Sequence, residues 1–234
     1  MERKATAWIG IASAAALAVV MLAATAFADG LRSPQIVFNG GELQSYLNGV
    51  GESIDVSTDQ VDAQVWRSTV SGNATFTLMI ELAGYADQNT IGVYNGDAAS
   101  PTLYQVFPGY ASAGWFAIAS FRSTGALIVN LFDQNAVGQG TTTYTGVDRT
   151  KFGYYLQSPA GTFYTQDYRN PSGYPQALAY AGTGQNAGSW WLCWEDLPWL
   201  SADRDFNDAV LFLESVNPTP VRQDSWGALK ARYH

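Results

Sequence analysis

From Ala74 onward the chain runs in short segments that alternate apolar and polar residues, broken by Gly, Asn, Asp, Pro and Ser. In A-T-F-T-L-M-I-E-L, residues 74–82, Phe76, Leu78, Ile80 and Leu82 share one face, with Thr75, Thr77 and Glu81 on the other. A period of two marks a strand with one side buried. Similar runs occupy 90–94, 102–107, 115–121, 126–132, 141–147, 151–156, 162–166, 177–181, 190–195 and 209–214. Asn95-Gly96 and the Gly- or Pro-containing breaks at 138–140, 171–173 and 182–188 supply turns between them. This spacing predicts an all-β domain: an antiparallel β-sandwich, jelly-roll-like, with a partly open barrel as a variant of the same pattern. At 47% hydrophobic and 14% charged residues the chain has ample material for a core.

The preceding segment reads differently. In G-G-E-L-Q-S-Y-L-N-G-V-G, Leu43, Tyr46 and Leu47 fall at i, i+3 and i+4 and Gly49 can end the run, which predicts one short helix. Residues 53–56 and 61–66 read as edge strands or as an arm folded over the sandwich. The expected organisation is a leader at 1–28, an N-terminal arm at 29–70, the sandwich at 71–216, and a Pro-containing spacer with a short tail at 217–234. In that tail Trp226, Leu229, Lys230 and Tyr233 are at helical spacing, as in a docking element or a frayed terminus.

Arg3 and Lys4, an apolar run over about residues 5–24, and Ala26 and Ala28 before Asp29 follow the signal-peptidase pattern, with cleavage expected after Ala28. Much of the run is alanine and no basic stop-transfer cluster follows, so no membrane span is expected after cleavage. Losing Glu2, Arg3 and Lys4 leaves 10 basic and 19 acidic groups, a net charge of −9. That balance does not suit a phosphate backbone, so no nucleic-acid partner is expected. Cys193, the lone cysteine, offers no internal disulfide, and within W-W-L-C-W it reads as a small core residue.

The acidic residues are distributed unevenly. Of 20 Asp and Glu in the chain, Glu195, Asp196, Asp203, Asp205 and Asp208 fall within 14 positions, in W-E-D-L-P-W-L-S-A-D-R-D-F-N-D-A-V. Like charges so close repel unless something positive sits among them. Asp203, Asp205 and Asn207 follow D-x-D-x-N, and in a tight loop residues two apart can converge on one point. Calcium takes six to eight oxygens at loose geometry from such a set. With His234 as the single histidine and no cysteine pair, zinc and later transition metals are poorly served. A solvated loop and a catalytic carboxylate pair are the alternatives. An EF-hand is excluded, because Asp208 stands where the loop needs glycine and A-V-L-F-L carries Glu214 away along a strand, roughly 20 Å from Asp208. The expected arrangement is a strand at 190–195, an acidic loop in which Pro198, Trp199 and Leu200 fold back onto their neighbours, and a returning strand at 209–213.

The stretch W-E-D-L…D-R-D-F-N-D-A-V, with L-A-G-Y-A-D-Q-N-T-I-G-V-Y and K-F-G-Y-Y-L before it, resembles the bacterial domain of unknown function 4114 family and is similar to LruC-type surface domains. The likeness covers about 75–216. Family members often carry glycines after E-D-L, where this chain has P-W-L-S-A. The resemblance implies an exported or surface setting, often beside adhesive or calcium-dependent modules. By position it marks Glu195, Asp196, Asp203, Asp205, Asn207 and Asp208, with Asp87 and Asn89 from A-D-Q-N-T, as the candidate metal ligands. A-D-Q-N-T is equally an ordinary Asx turn.

Three functional classes are compatible with these features. The first is a calcium-binding, non-catalytic module, secreted or at the cell surface, that engages other extracellular proteins or matrix. The second is a lectin-like module for surface glycans, using turn-proximal tyrosines, chiefly Tyr164, Tyr168 and Tyr174. The third, a hydrolase working through two carboxylates, needs a separation that sequence does not supply. No Ser-His or Cys-His pair can be assembled, and no catalytic residue is assigned.

Overall fold

The computed structural model describes residues 41–82 and 85–219; the expectations for the leader and for the tail beyond 219 lie outside them. The described residues form one α-helix, α1 (Gly41–Gly49), and thirteen strands. These are β1 (Trp66–Ser68), β2 (Asn73–Ile80), β3 (Thr90–Asn95), β4 (Leu103–Phe107), β5 (Phe116–Phe121), β6 (Leu127–Phe132) and β7 (Gly138–Tyr144). There follow β8 (Phe152–Ser158), β9 (Gly161–Tyr164), β10 (Ala177–Ala181), β11 (Trp190–Trp194), β12 (Ala209–Glu214) and β13 (Val216–Pro218). They make an antiparallel β-sandwich. One sheet runs β10-β11-β12-β2-β5-β6-β7; the other runs β13-β1-β8-β3-β4, with β9 also paired to β8. None of the helices among the described residues is long and apolar enough to cross a membrane.

Alternation explains the packing. Phe76, Leu78, Leu192, Trp194, Leu211 and Leu213 of the longer sheet meet Val93, Phe152, Tyr154 and Leu156 of the other in the main core. Trp66 joins them edge-on to Tyr154 and Trp190, each at 5.5 Å between ring centres. Gly153 has no Cβ to spare, since the Tyr94 ring lies where one would stand.

The longer sheet also buries its outer face. Tyr180, Trp191, Cys193 and Val210 point away from the main core into a second cluster, roofed by Leu43 and Leu47 of α1 and by Ile54 and Val56. W-W-L-C-W is therefore apolar at every position because β11 is covered on both sides. Cys193 is a buried free thiol within this layer. Burying Leu43 and Leu47 contributes about 2 kcal/mol each.

Glu52 locks this arm in place. Its Oε2 accepts from the Thr183 N–H and hydroxyl, both at 2.6 Å, and its Oε1 accepts from Asn186 Nδ2 at 2.7 Å and Trp191 Nε1 at 2.8 Å. Burial alone pushes this carboxyl up, but the donated hydrogen bonds outweigh it and hold the group below its ordinary value.

The structure departs from the expected elements where alternation is absent. β7 begins at Gly138, inside the run read as a turn, because this edge strand is exposed on both faces and shows no apolar period. Residues 53–56 form no strand; they pack as irregular arm, and Val61 makes a single bridge to Ala179. β9 ends at Tyr164, since the Thr165 hydroxyl turns to donate to the Gln64 carbonyl. β13 takes Asn217 and Pro218 from the expected spacer and pairs them with Arg67 and Trp66. Proline is tolerated there because β13 is a sheet edge.

Glu52→Ala should strand four donor groups on three buried or half-buried residues and cost about 3 kcal/mol of unfolding free energy, measured by urea titration. Because the folded carboxyl titrates below its ordinary value, its contribution is present above about pH 4.5 and fades as pH falls through the folded pKa. The destabilisation by Glu52→Ala should therefore shrink in acid.

Candidate metal centre

β11 leaves the sheet at Trp194, and the next two side chains, Glu195 and Asp196, are buried carboxylates. The chain returns at Ala209 after the loop that carries Asp203, Asp205, Asn207 and Asp208. Arg204 and Phe206 adopt left-handed backbone, with φ of 64° and 54°. Their side chains turn to one side: the Arg204 guanidinium lies 4.9 Å from the centre of the Trp199 ring, and the Phe206 ring is fully buried beside Trp199. A non-glycine residue in this region costs about 1–2 kcal/mol, which the buried Phe206 ring offsets.

Phe206 also aims the deepest carboxylate. Its N–H donates to Glu195 Oε1 at 2.7 Å. Glu195 is 0% exposed, and its Oε2 has no hydrogen-bond partner. Ligand oxygens of Glu195, Asp203 and Asp205 all lie within 4.8 Å of one another. An acceptor buried without a donor costs about 1–3 kcal/mol, more when charged. Glu52 is the internal contrast: also a buried glutamate, though less deeply so, and bonded at both oxygens. This acidic triad is a site at which a metal ion can be held.

The ionisation of the cluster matches its crowding. Burial, then the charges of Asp208, Asp203 and Asp205, push Glu195 up to about 8 against the Phe206 hydrogen bond. Asp208 is pushed up to about 7 by burial and by Asp196, Asp205 and Asp203, and Asp205 is raised by burial and by Asp203 and Glu42. Asp203 and Asp205 line a cavity of about 560 Å³, bounded also by Glu42, Asp196, Asn207 and Asp208, so an ion at the triad would keep access to water.

The other expected ligands divide among different tasks. Asn207 steers Asp205: its N–H and its Nδ2 donate to the two Asp205 oxygens at 3.2 and 2.7 Å, and Nδ2 also donates to Glu42 Oε2 at 3.0 Å. Asp208 Oδ2 accepts from the Asp196 N–H at 2.8 Å. Asp196 faces another group, where its Oδ2 takes a 3.0 Å hydrogen bond from Asn89 Nδ2 and its carbonyl one of 2.6 Å from the Ser158 hydroxyl. Asp87 stands exposed in the turn before β3 with φ of 66°. Trp199 folds back as expected and stacks on Tyr174 at 5.1 Å, but Leu200 is 86% exposed: the Pro198 turn directs it outward. Glu214 is exposed at the far end of β12.

Two acidic residues escaped the sequence reading, Glu42 and Glu81. Glu42 reads as an exposed helix residue and Glu81 as the polar face of a strand; neither carries a local spacing signal. Among the tyrosines, Tyr164 and Tyr168 line one cavity of about 470 Å³ with Arg169, while Tyr174 lies apart on Trp199.

No family model, curated protein or solved structure matches this chain.

The titration of the cluster sets a test without added metal. Groups raised in the fold hold protons that the unfolded chain gives up, so their contribution is complete below about pH 4.5 and lost as pH rises through the folded values near 7 and 8. The melting temperature of the metal-free protein should fall between about pH 5 and 8, with Glu195→Gln flattening that slope.

Proposed function

We propose that this protein is a calcium-stabilised, non-catalytic β-sandwich module, exported through its N-terminal leader and acting at the cell surface or in the extracellular matrix. The observation that carries this is Glu195 Oε2, a buried oxygen without a donor, on the carboxylate that lies within 4.8 Å of ligand oxygens of Asp203 and Asp205. A cation supplies what the protein does not. Oxygen-only ligands, flexible carboxylates and access to water suit calcium better than magnesium, which demands stricter octahedral geometry, or zinc, which prefers nitrogen and sulfur. The extracellular setting supports the choice, because a site of roughly 10⁻⁴–10⁻³ M fills where calcium is plentiful.

The ion's role in this account is structural. It ties β11 to β12 at the point where the chain has no disulfide to do so, and it relieves the repulsion among the carboxylates. The resemblance of E-D-L…D-R-D-F-N-D to the domain of unknown function 4114 family belongs to the same proposal and favours a surface setting. A second reading, glycan recognition, is favoured by the cavity that Tyr164 and Tyr168 share beside Arg169. It calls for a ligand screen scored against Tyr168→Ala, whose side chain is 67% exposed.

At a hundredfold excess over Kd, calcium should add about 2.7 kcal/mol, a rise of roughly 5–10 °C in melting temperature for a domain of this size. EDTA should reverse it. Asp205→Asn should remove most of the calcium response while the metal-free protein still folds. A melting temperature indifferent to both calcium and EDTA would end the proposal.

A further inference from the structure

The helix that roofs the outer face and the acidic loop meet at two neighbouring residues. Phe206 has its N–H on the deepest carboxylate, 2.7 Å from Glu195 Oε1, while its ring is buried in the cluster that Leu43 and Leu47 of α1 close. Asn207 spans the same gap with one amide. Its Nδ2 donates to Asp205 Oδ2 at 2.7 Å and to Glu42 Oε2 at 3.0 Å. Glu42 stands in the first turn of α1 and lines the cavity that Asp203 and Asp205 also line. Two successive residues thus each hold the acidic group with one hand and the helix with the other.

The arm has a second fastening of a different kind. Glu52 takes its four hydrogen bonds from Thr183, Asn186 and Trp191 at the β10–β11 hairpin, and both its oxygens are satisfied without an ion. At the loop end two carboxylates, Glu42 and Asp205, share a single Nδ2 group. Glu195 and Asp203 add charge of the same sign beside Asp205. Like charges so placed separate unless a cation offsets them.

We propose that calcium at the triad seats α1: the acidic loop is an ion-dependent clasp, with Glu42 as its catch and Phe206 and Asn207 as the links. The clasp rests on the calcium reading and adds a regulated element to it. An ion among Glu195, Asp203 and Asp205 offsets the negative charge that faces Glu42, and Asn207 keeps Glu42 against the loop. When the ion leaves, repulsion drives Glu42 and the first turn of α1 outward. Leu43 and Leu47 then lift from the outer face of β10, β11 and β12, while Glu52 still holds the far end of the arm. Couplings between a ligand and a second element run to roughly 5–150-fold in an equilibrium constant and are reciprocal. The seated helix therefore raises calcium affinity by the same factor that calcium raises seating.

Cys193 supplies the reporter. It is the chain's one cysteine, and it is fully buried in the layer beneath α1. A neutral maleimide reaches it when the helix lifts. Labelling is timed in calcium and in EDTA, with calorimetry recording calcium binding on the same protein. Calcium should slow labelling about tenfold. The rate in EDTA should be nearly flat in low urea, because lifting one helix exposes little surface compared with unfolding. Glu42→Gln keeps an oxygen for Asn207 but removes the repelling charge, so in EDTA it should label as slowly as the calcium-loaded parent. Calcium binding with an unchanged labelling rate, or an EDTA rate that climbs steeply with urea, would overturn the clasp and leave the calcium site. Glu42→Gln labelling in EDTA as fast as the parent would overturn it too. No calcium binding by calorimetry would remove the calcium reading itself, and the clasp with it.

Discussion

A carboxylate cannot be carried into a protein interior with one of its oxygens unanswered unless something else answers it. Glu195 meets that condition directly after β11, which is buried at every position. Its Oε1 is held by the Phe206 N–H, its Oε2 has no donor, and the carboxylate groups with those of Asp203 and Asp205 within 4.8 Å. The rest of the acidic loop follows from this placement. Left-handed backbone at Arg204 and Phe206 accompanies a loop in which Asp203 and Asp205 reach the Glu195 carboxylate from the solvent side while the Phe206 ring is buried. The cost of that backbone is met by burial of Phe206 and by the stacking of Trp199 between Tyr174 and Arg204.

The sandwich makes such a depth possible. An antiparallel sheet with one wet face would leave the end of β11 in solvent. Here α1 and the irregular arm cover the outer face of β10, β11 and β12, so that strand is dry on both sides and the residue after it starts buried. Glu52 is what holds the arm down, and it shows how this protein treats a buried carboxylate that needs no ion: both oxygens saturated by donors and the group kept charged. The difference between Glu52 and Glu195 lies in the count of donors.

Much of the fold was legible because half-buried strands leave a period of two in the sequence. β2, β3, β5, β6, β10 and β12 all fall within a residue or two of the runs that announce them. Strands without an apolar face were legible only in part: β7, polar on both sides, overlaps the run at 141–147 but begins three residues earlier, and β1 and β13 are too short for a period to register. The acidic loop was legible for a local reason, the D-x-D-x-N spacing. How its members divide was not, because that is decided by contacts across the fold. Asn89 meets Asp196 from 107 positions away, and Glu42 meets Asn207 from 165.

The central claim is that a calcium ion completes the coordination of Glu195. Anomalous diffraction from crystals grown in calcium, recorded around Glu195, Asp203 and Asp205, tests it most directly. The account predicts a peak about 2.3–2.6 Å from Glu195 Oε2 with carboxylate and water oxygens around it. Absence of a peak, with Glu195 protonated and donating to a neighbouring aspartate, would contradict it.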